Sequence, residues 1–222
     1  MPKMENQDRI GHLGGVILCG GQSRRMGMDK NELVFQEKTF LEQVYQQVQQ
    51  VCGPVVLVGN LRREHHEIPD HVHVLPDEQT EMGPLEGIRV GLRWLSDQVE
   101  VAFVTGCDTP LLRPELIKYL FTQLGNFDVV VPVHGKSVYG TTAIYRTTLY
   151  QSIGQRIAEN LPRVSDLAMD FNSNQISLET LKDIDPNLNS FVNVNTAAQY
   201  MALLERFQLE CPAEIARRLN RN

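Results

Sequence analysis

The chain has 222 residues, enough for one full-sized domain with its own core, and its 42% apolar and 22% charged residues are ordinary for a globular protein. The net charge, 21 − 27 = −6, argues against broad nucleic-acid binding, so an anionic ligand would have to be met by a local cluster of cations. No apolar run approaches the ~20 residues needed to span a bilayer, and "MPKMENQDRIGHLGG" at the N-terminus lacks a signal-peptide core, which predicts a cytoplasmic protein with no membrane partner.

Taken in chain order, "GVIL" (Gly15–Leu18) predicts a first buried strand, too short and β-rich for a helix. "TFLEQVYQQVQQVC" predicts a helix, because Thr39 and Glu42 have capping-box spacing and Leu41, Val44, Val48 and Val51 form one apolar face. "PVVLVG" (Pro54–Gly59), "VHVL" (Val72–Leu75) and "VEVAFVTG" (Val99–Gly106) predict further strands, with a helix at "PLEGIRVGLRWL" (Pro84–Leu95). "RPELIKYLFTQLG" (Arg113–Gly125) reads as a helix with Pro114 in its first turn and Gly125 as its stop. "DVVVPV" (Asp128–Val133) and "TTAIYR" (Thr141–Arg146) close the list of clear strands. From about Leu149 the chain reads as helical, interrupted by a strand-like "SFVNVNT", with "NSNQIS" and "DIDPNLNS" as loops. The last dozen residues, "CPAEIARRLNRN", read as a loosely docked helix. This alternation predicts a single α/β domain over residues 1–222 with a mainly parallel sheet.

In such sheets ligands bind at the carboxyl ends of the strands, where "CGGQSRRMGMDK" follows the first strand. Gly20 and Gly21 lack Cβ atoms, so backbone N–H groups can approach a phosphate, and Arg24, Arg25 and Lys30 bring positive charge. The stretch is neither a P-loop, since Gly27 is followed by Met28 and Asp29, nor the G-x-G-x-x-G of a dinucleotide site. Asp108, in "VTGCDTP", ends the fourth strand, where one carboxylate could hold Mg²⁺ against a triphosphate; a turn or helix-cap aspartate is the other reading. Gly83 and Pro84, in "VLPDEQTEMGPLEGI", suit a close approach followed by a helix start, and Asn60 follows the second strand as a turn or nucleotide residue.

"LCGGQSRRMGMDK" resembles the signature L-x-G-G-x-x-x-R-M-G-x-D-K of nucleotidyltransferases that activate small molecules. It is most similar to that of the molybdenum cofactor guanylyltransferase family, which transfers GMP from GTP to molybdopterin. "CDTP", the segment from Asp77 to "GPLEG", and "FVNVNT" (Phe191–Thr196) resemble that family's other motifs and come in its order. The resemblance implies a three-layer Rossmann-like nucleotidyltransferase fold with helices on both sheet faces. It implies a nucleotide-binding half near 14–125 and an acceptor half near 126–205. It places Leu18, Cys19, Gly20, Gly21, Asp77, Gly83, Pro84 and Leu85 along the nucleotide, and Lys30, with Arg25 as helper, at the phosphates. Asp108 becomes the Mg²⁺ ligand, and Asn193 and Asn195 face the acceptor. Implied partners are GTP and molybdopterin, with cofactor-assembly proteins and molybdoenzymes beyond them.

Two departures from the family pattern bear on the acceptor side. Tyr139 and Gly140 stand where the family carries a His-Pro pair, and Ala197 replaces a proline after "FVNVNT". Transfer of another nucleotide such as CMP, or to another phosphorylated acceptor, stays open, as does a nucleotide-binding module without catalysis. The histidines His65, His66, His71 and His73 read as solvated or sheet-edge residues, since no metal-ligand spacing surrounds them. Cys19, Cys52, Cys107 and Cys211 show no CxxC spacing and read as reduced structural thiols, and Trp94 reads as core.

Overall fold

In a computed structural model, which describes residues 10–20, 28–62, 65–76, 83–160 and 163–219, the first strand, β1 (Leu13–Leu18), is buried along its whole length. Burial on both faces is what an apolar run without polar alternation demands, and it puts β1 inside a parallel array. A single 3-10 turn (Lys30–Glu32) and a hairpin of β2 (Val34–Phe35) with β3 (Lys38–Thr39) lead into α1 (Phe40–Gln49). The capping box read from the sequence is formed: Glu42 N donates to the Thr39 hydroxyl, and Thr39 N donates to the Glu42 carboxylate.

β4 (Val55–Val58), β5 (His73–Leu75), α2 (Pro84–Leu95), β6 (Val101–Gly106) and α3 (Pro114–Thr122) follow where the apolar periodicity put them. β7 (Val129–His134), β8 (Ser137–Val138) and β9 (Thr142–Arg146) precede α4 (Tyr150–Ala158) and the short α5 (Leu167–Asp170). β10 (Ser173–Ser177), α6 (Leu178–Leu181), α7 (Ala197–Arg206) and α8 (Ala213–Leu219) complete the described elements.

The main sheet has the order β10-β7-β9-β6-β1-β4-β5, with β8 paired to β7 at its margin. It is mainly parallel; β9 runs antiparallel to both β6 and β7. Alternating strand residues feed two cores. Leu13, Ile17, Phe103 and Ile144 pack with α1, α3 and α6 on one face, and Val16, Leu18, Val104 and Tyr145 pack with α2 and α4 on the other. Three layers result, in agreement with the expected fold class. A third, smaller core joins Met28, Leu33, Phe35 and Phe40 to Tyr200, Leu203, Leu204 and Ile215, so α7 and α8 seat against the segment around the 3-10 turn.

Three readings of the C-terminal third are corrected. "NSNQIS" is not a loop: Ser173–Ser177 form β10, paired in parallel with Val129–Val133. An edge strand needs only its backbone to pair, so a polar sequence can occupy it. "SFVNVNT" is not a strand but a 3-10 turn (Asn189–Phe191) followed by irregular chain, and Val194 N donates to Asp108 O at 3.0 Å instead of to a sheet neighbour. Nor is the terminal helix loosely held, since Ile215 is buried at 5% exposure.

Loss of the α1 cap should be measurable. Thr39→Ala removes the acceptor for Glu42 N and the partner of His66 Nδ1, which lies 3.0 Å from the Thr39 hydroxyl. It should cost about 1 kcal/mol, read in a thermal melt as a Tm lowered by roughly 2–4 °C.

Candidate active site

Parallel pairing in register brings the carboxyl ends of three strands together, with Leu18 opposite both Val58 and Gly106. The ladder runs one residue further: Cys19 N donates to Val58 O at 2.7 Å, and Cys107 N donates to Leu18 O at 3.0 Å. Cys19–Gly20, Gly59–Asn60 and Cys107–Asp108 therefore leave the sheet side by side. Gly59 has φ +129°, and a Cβ there would collide with the backbone of Gly20, so only glycine lets the two loops touch.

Asp108 is held against the sheet end. The Thr109 hydroxyl donates to Gly106 O at 2.9 Å and lies 3.1 Å from the Thr105 hydroxyl, while Asp108 O accepts from Val194 N. Gly106 leaves space for the carboxylate, since a Cβ on it would lie 2.5 Å from Asp108 Oδ1. Lys30, at the start of the 3-10 turn, points its ammonium at this point. Its Nζ lies 3.8 Å from Asp108 Oδ2 and donates to Asn195 Oδ1. Asn195 is itself fixed, its N–H donating to Gln199 Oε1 at 2.7 Å just before Thr196 caps α7. One ammonium thus joins three loops remote in the chain.

The local electrostatics follow from partial burial. Burial pushes the Asp108 carboxyl above its ordinary value, and the Lys30 charge opposes that rise without cancelling it. Burial, with the Asp108 charge adding to it, pushes the neighbouring Cys107 thiol up to about 12, which keeps it protonated. All four cysteines are free thiols, and Cys19, Cys52 and Cys107 are buried, as structural thiols should be.

The structure brings together Lys30, Asp108 and Asn195 among the residues picked from the sequence; Asn193, two positions before Asn195, is exposed. Leu18 and Cys19 are buried at the end of β1, Gly20 is exposed, and Asn60 is exposed after β4. Gly83 caps α2 with φ +67°, and Pro84 opens the helix. Leu85 is corrected: the residue is fully buried in the core and does not line the open end of the sheet. Gly21, Arg24, Arg25 and Asp77 lie outside the described residues.

His71 and His73 stand at the sheet edge or just before it, as read, and His73 packs on the half-buried Trp94 with ring centroids 4.8 Å apart. His65 and His66 are not simply solvated. His65 Nδ1 donates to the buried Glu32 at 2.8 Å, and burial pushes the His66 pKa below its ordinary value. Sequence reasoning passed over Glu32 and its second partner Arg218, 2.8 Å away, because nothing local marks a pair so far apart. Among the described residues no group of three or more His, Cys, Asp and Glu side chains converges as a metal cage, and no helix is long and apolar enough to cross a membrane. Among the described residues picked from the sequence, the hard side-chain oxygen donors that meet Lys30 are Asp108 and Asn195. That set is too small to hold Mg²⁺ alone but suits an ion sharing its coordination with phosphate oxygens.

Comparison with known proteins agrees with this architecture. The pattern of the MobA-like NTP transferase domain matches residues 15–167. The chain is 31% identical over 182 residues to a probable molybdenum cofactor guanylyltransferase of Pelotomaculum thermopropionicum, covering 82% of this chain and 87% of that one. It is 36% identical over 196 residues to a protein of the same description from Mycobacterium marinum, covering 86% and 92%. In fold it is similar to the crystal structure of molybdopterin-guanine dinucleotide biosynthesis protein A from Archaeoglobus fulgidus, with a TM-score of 0.74 at 22% identity, covering 88% and 98% of the two chains.

The raised pKa of Asp108 has a thermodynamic sign. A carboxyl whose folded pKa lies above its unfolded one costs stability as pH rises through the folded value, and costs none where both states are protonated. Asp108→Asn should therefore raise Tm at neutral pH, and the gain should vanish as pH falls below the ordinary carboxyl value of 3.8. Melts of both proteins across pH read the difference, and a lower Tm for the variant at neutral pH would contradict it.

Proposed function

The chain belongs to the MobA-like NTP transferase family and is a nucleotidyltransferase; from that premise we propose that it transfers GMP from GTP to the terminal phosphate of molybdopterin, with Mg²⁺ and release of pyrophosphate. The observation that carries this reading is the convergence of Lys30, Asp108 and Asn195 at the carboxyl ends of β1 and β6. The names borne by the relatives supply the nucleotide and the acceptor.

In this reaction an acceptor phosphate oxygen forms a bond to the α-phosphorus, and the bridging P–O bond to the β-phosphate breaks. The electron pair of that bond leaves with pyrophosphate. The second pKa of a phosphate monoester is about 6, so the attacking oxygen is already anionic near neutrality and no general base is required. What the chain must supply is position and charge compensation. Lys30, aided by Arg25, offsets negative charge on the transferring phosphoryl group and on the leaving pyrophosphate. Gly20 and Gly21 offer backbone N–H groups to the phosphates, while Asn60, Asp77 and the Gly83–Pro84 turn flank the nucleoside.

Asp108, with Asn195 beside it, would hold Mg²⁺, which when bound neutralises triphosphate charge and stabilises the leaving pyrophosphate. Lys30 would turn to phosphate when the triphosphate binds, and a metal held at Asp108 would supply the counter-charge that Lys30 gives it in the free protein. Asn193 and Asn195 face the acceptor. Tyr139, which stands in place of the family's His-Pro pair, packs edge-on against Phe191 with centroids 5.1 Å apart, so an aromatic pair adjoins that side. The nucleotide is bound by the half near 14–125 and the acceptor by the half near 126–205.

Pyrophosphate release from GTP with molybdopterin and Mg²⁺, in competition with CTP, ATP and UTP, tests the reading. GTP should be preferred, and equal use of CTP would reject the nucleotide assignment. Lys30→Ala and Asp108→Ala should each lower turnover by ~10²-fold or more with the fold intact; wild-type rates would remove both from the reaction. Gly106→Ala, which crowds the Asp108 carboxylate, should lower kcat by roughly tenfold to a hundredfold through displacement of that group.

A further inference from the structure

Lys30 and Glu32 are the two ends of one 3-10 turn, closed by Glu32 N to Asp29 O and Leu33 N to Lys30 O, both at 3.1 Å. Lys30 faces the site, whereas Glu32 is buried, with 8% of its surface exposed. A buried carboxylate is costly unless paired and hydrogen-bonded. Glu32 has both partners: His65 Nδ1 donates to Oε1 at 2.8 Å and Arg218 Nη2 lies 2.8 Å from Oε2. Burial pushes the Glu32 carboxyl up, but His65 and Arg218 together outweigh it and hold it below its ordinary value.

The partners come from separate parts of the fold. His65 lies between β4 and β5, and Arg218 is on α8, well past residue 167 where the family match ends. Apolar contacts add to the ion pair. Ile215 of α8 shares a core cluster with Met28, Leu33 and Phe35, which flank the turn on both sides, and the Tyr200 hydroxyl of α7 donates to Val34 O at 2.7 Å.

We infer that Glu32 is a positioning residue for Lys30, and that α8, through Arg218, is a working part of the site. A lysine side chain carries about 2 kcal/mol of rotamer entropy and cannot locate its own ammonium. Lys30 Nζ reaches Asp108 and Asn195 together only while its backbone turn is held from behind, and the buried Glu32 carboxylate is the polar anchor of that turn. Arg218 and His65 hold the anchor. The catalytic consequence rests on the proposed nucleotidyl transfer; the anchoring itself does not.

The test uses the full chain with Arg218→Met and Arg218→Lys, partly exposed positions that spare the core, and Glu32→Gln alongside them. Two quantities are read well below Tm: amide exchange of the segment 28–35, and kcat and KM for GTP from pyrophosphate release. Arg218→Met should speed exchange in 28–35 while leaving β1 and β6 protected. It should also lower kcat by about tenfold, the range expected of a slightly misplaced group, with KM changed by less than about twofold. Arg218→Lys should restore part of both, and Glu32→Gln should resemble Arg218→Met.

Wild-type exchange and kcat in Arg218→Met would overturn the inference. So would faster exchange spread evenly over the chain, which marks general destabilisation. If the wild-type protein turns over no triphosphate, the functional reading fails, and the exchange result decides the anchor alone.

Discussion

The site rests on one ammonium shared by two oxygens. Lys30 binds the segment after β1 to the loop after β6 through Asp108 and to the entry of α7 through Asn195. Both contacts are needed for a physical reason. Asp108 gives up much of its hydration at the sheet end, and a carboxylate there demands a nearby cation. Asn195 cannot neutralise charge, but its carbonyl oxygen fixes direction, and its own N–H is tied to Gln199. The parallel register of β1 with β4 and β6 supplies the rigid base, because strands in register end at one level and their loops emerge together.

The elements legible in the sequence were those whose burial is written locally. β1, β4, β6, β7 and β9 are apolar runs because both sheet faces are covered. α1 and α2 declare themselves by period and by capping chemistry at Thr39 and Pro84. The loop after β1 and Asp108 were legible for another reason: glycines and cations straight after a buried strand make little sense without an anion. That Lys30 and Asp108 meet was inferable from strand order, since β1 and β6 are neighbours.

What was not legible depends on partners distant in the chain. β10 carries a polar sequence, and only its backbone pairing with β7 makes it a strand. The residues from Val192 to Asn195 look like a strand by alternation, yet Val192 N, Val194 N and Asn195 N donate to Asn189 O, Asp108 O and Gln199 Oε1. Glu32 sits beside Lys30 in sequence without any periodic or motif signal, and its meaning comes wholly from His65 and Arg218. The terminal helix has too few apolar residues to announce docking, but Ile215 and Arg218 suffice when the receiving surface is already built.

Charge placement around the 3-10 turn explains why an arginine and a histidine from distant segments converge on Glu32. Lys30 and Glu32 are two positions apart, close enough for a free carboxylate to draw the ammonium back toward its own turn. Burial pushes the Glu32 carboxyl up, and His65 and Arg218 together hold it below its ordinary value. With its charge met from behind, Glu32 leaves Lys30 to Asp108 and Asn195 in front. A chain of net charge −6 thus keeps one cation directed at its ligand side by settling the competing acid elsewhere. The two groups that do so come from outside the sheet ends that form the candidate site, so the turn that carries Lys30 is only as well placed as the C-terminal helix and the segment between β4 and β5 are docked.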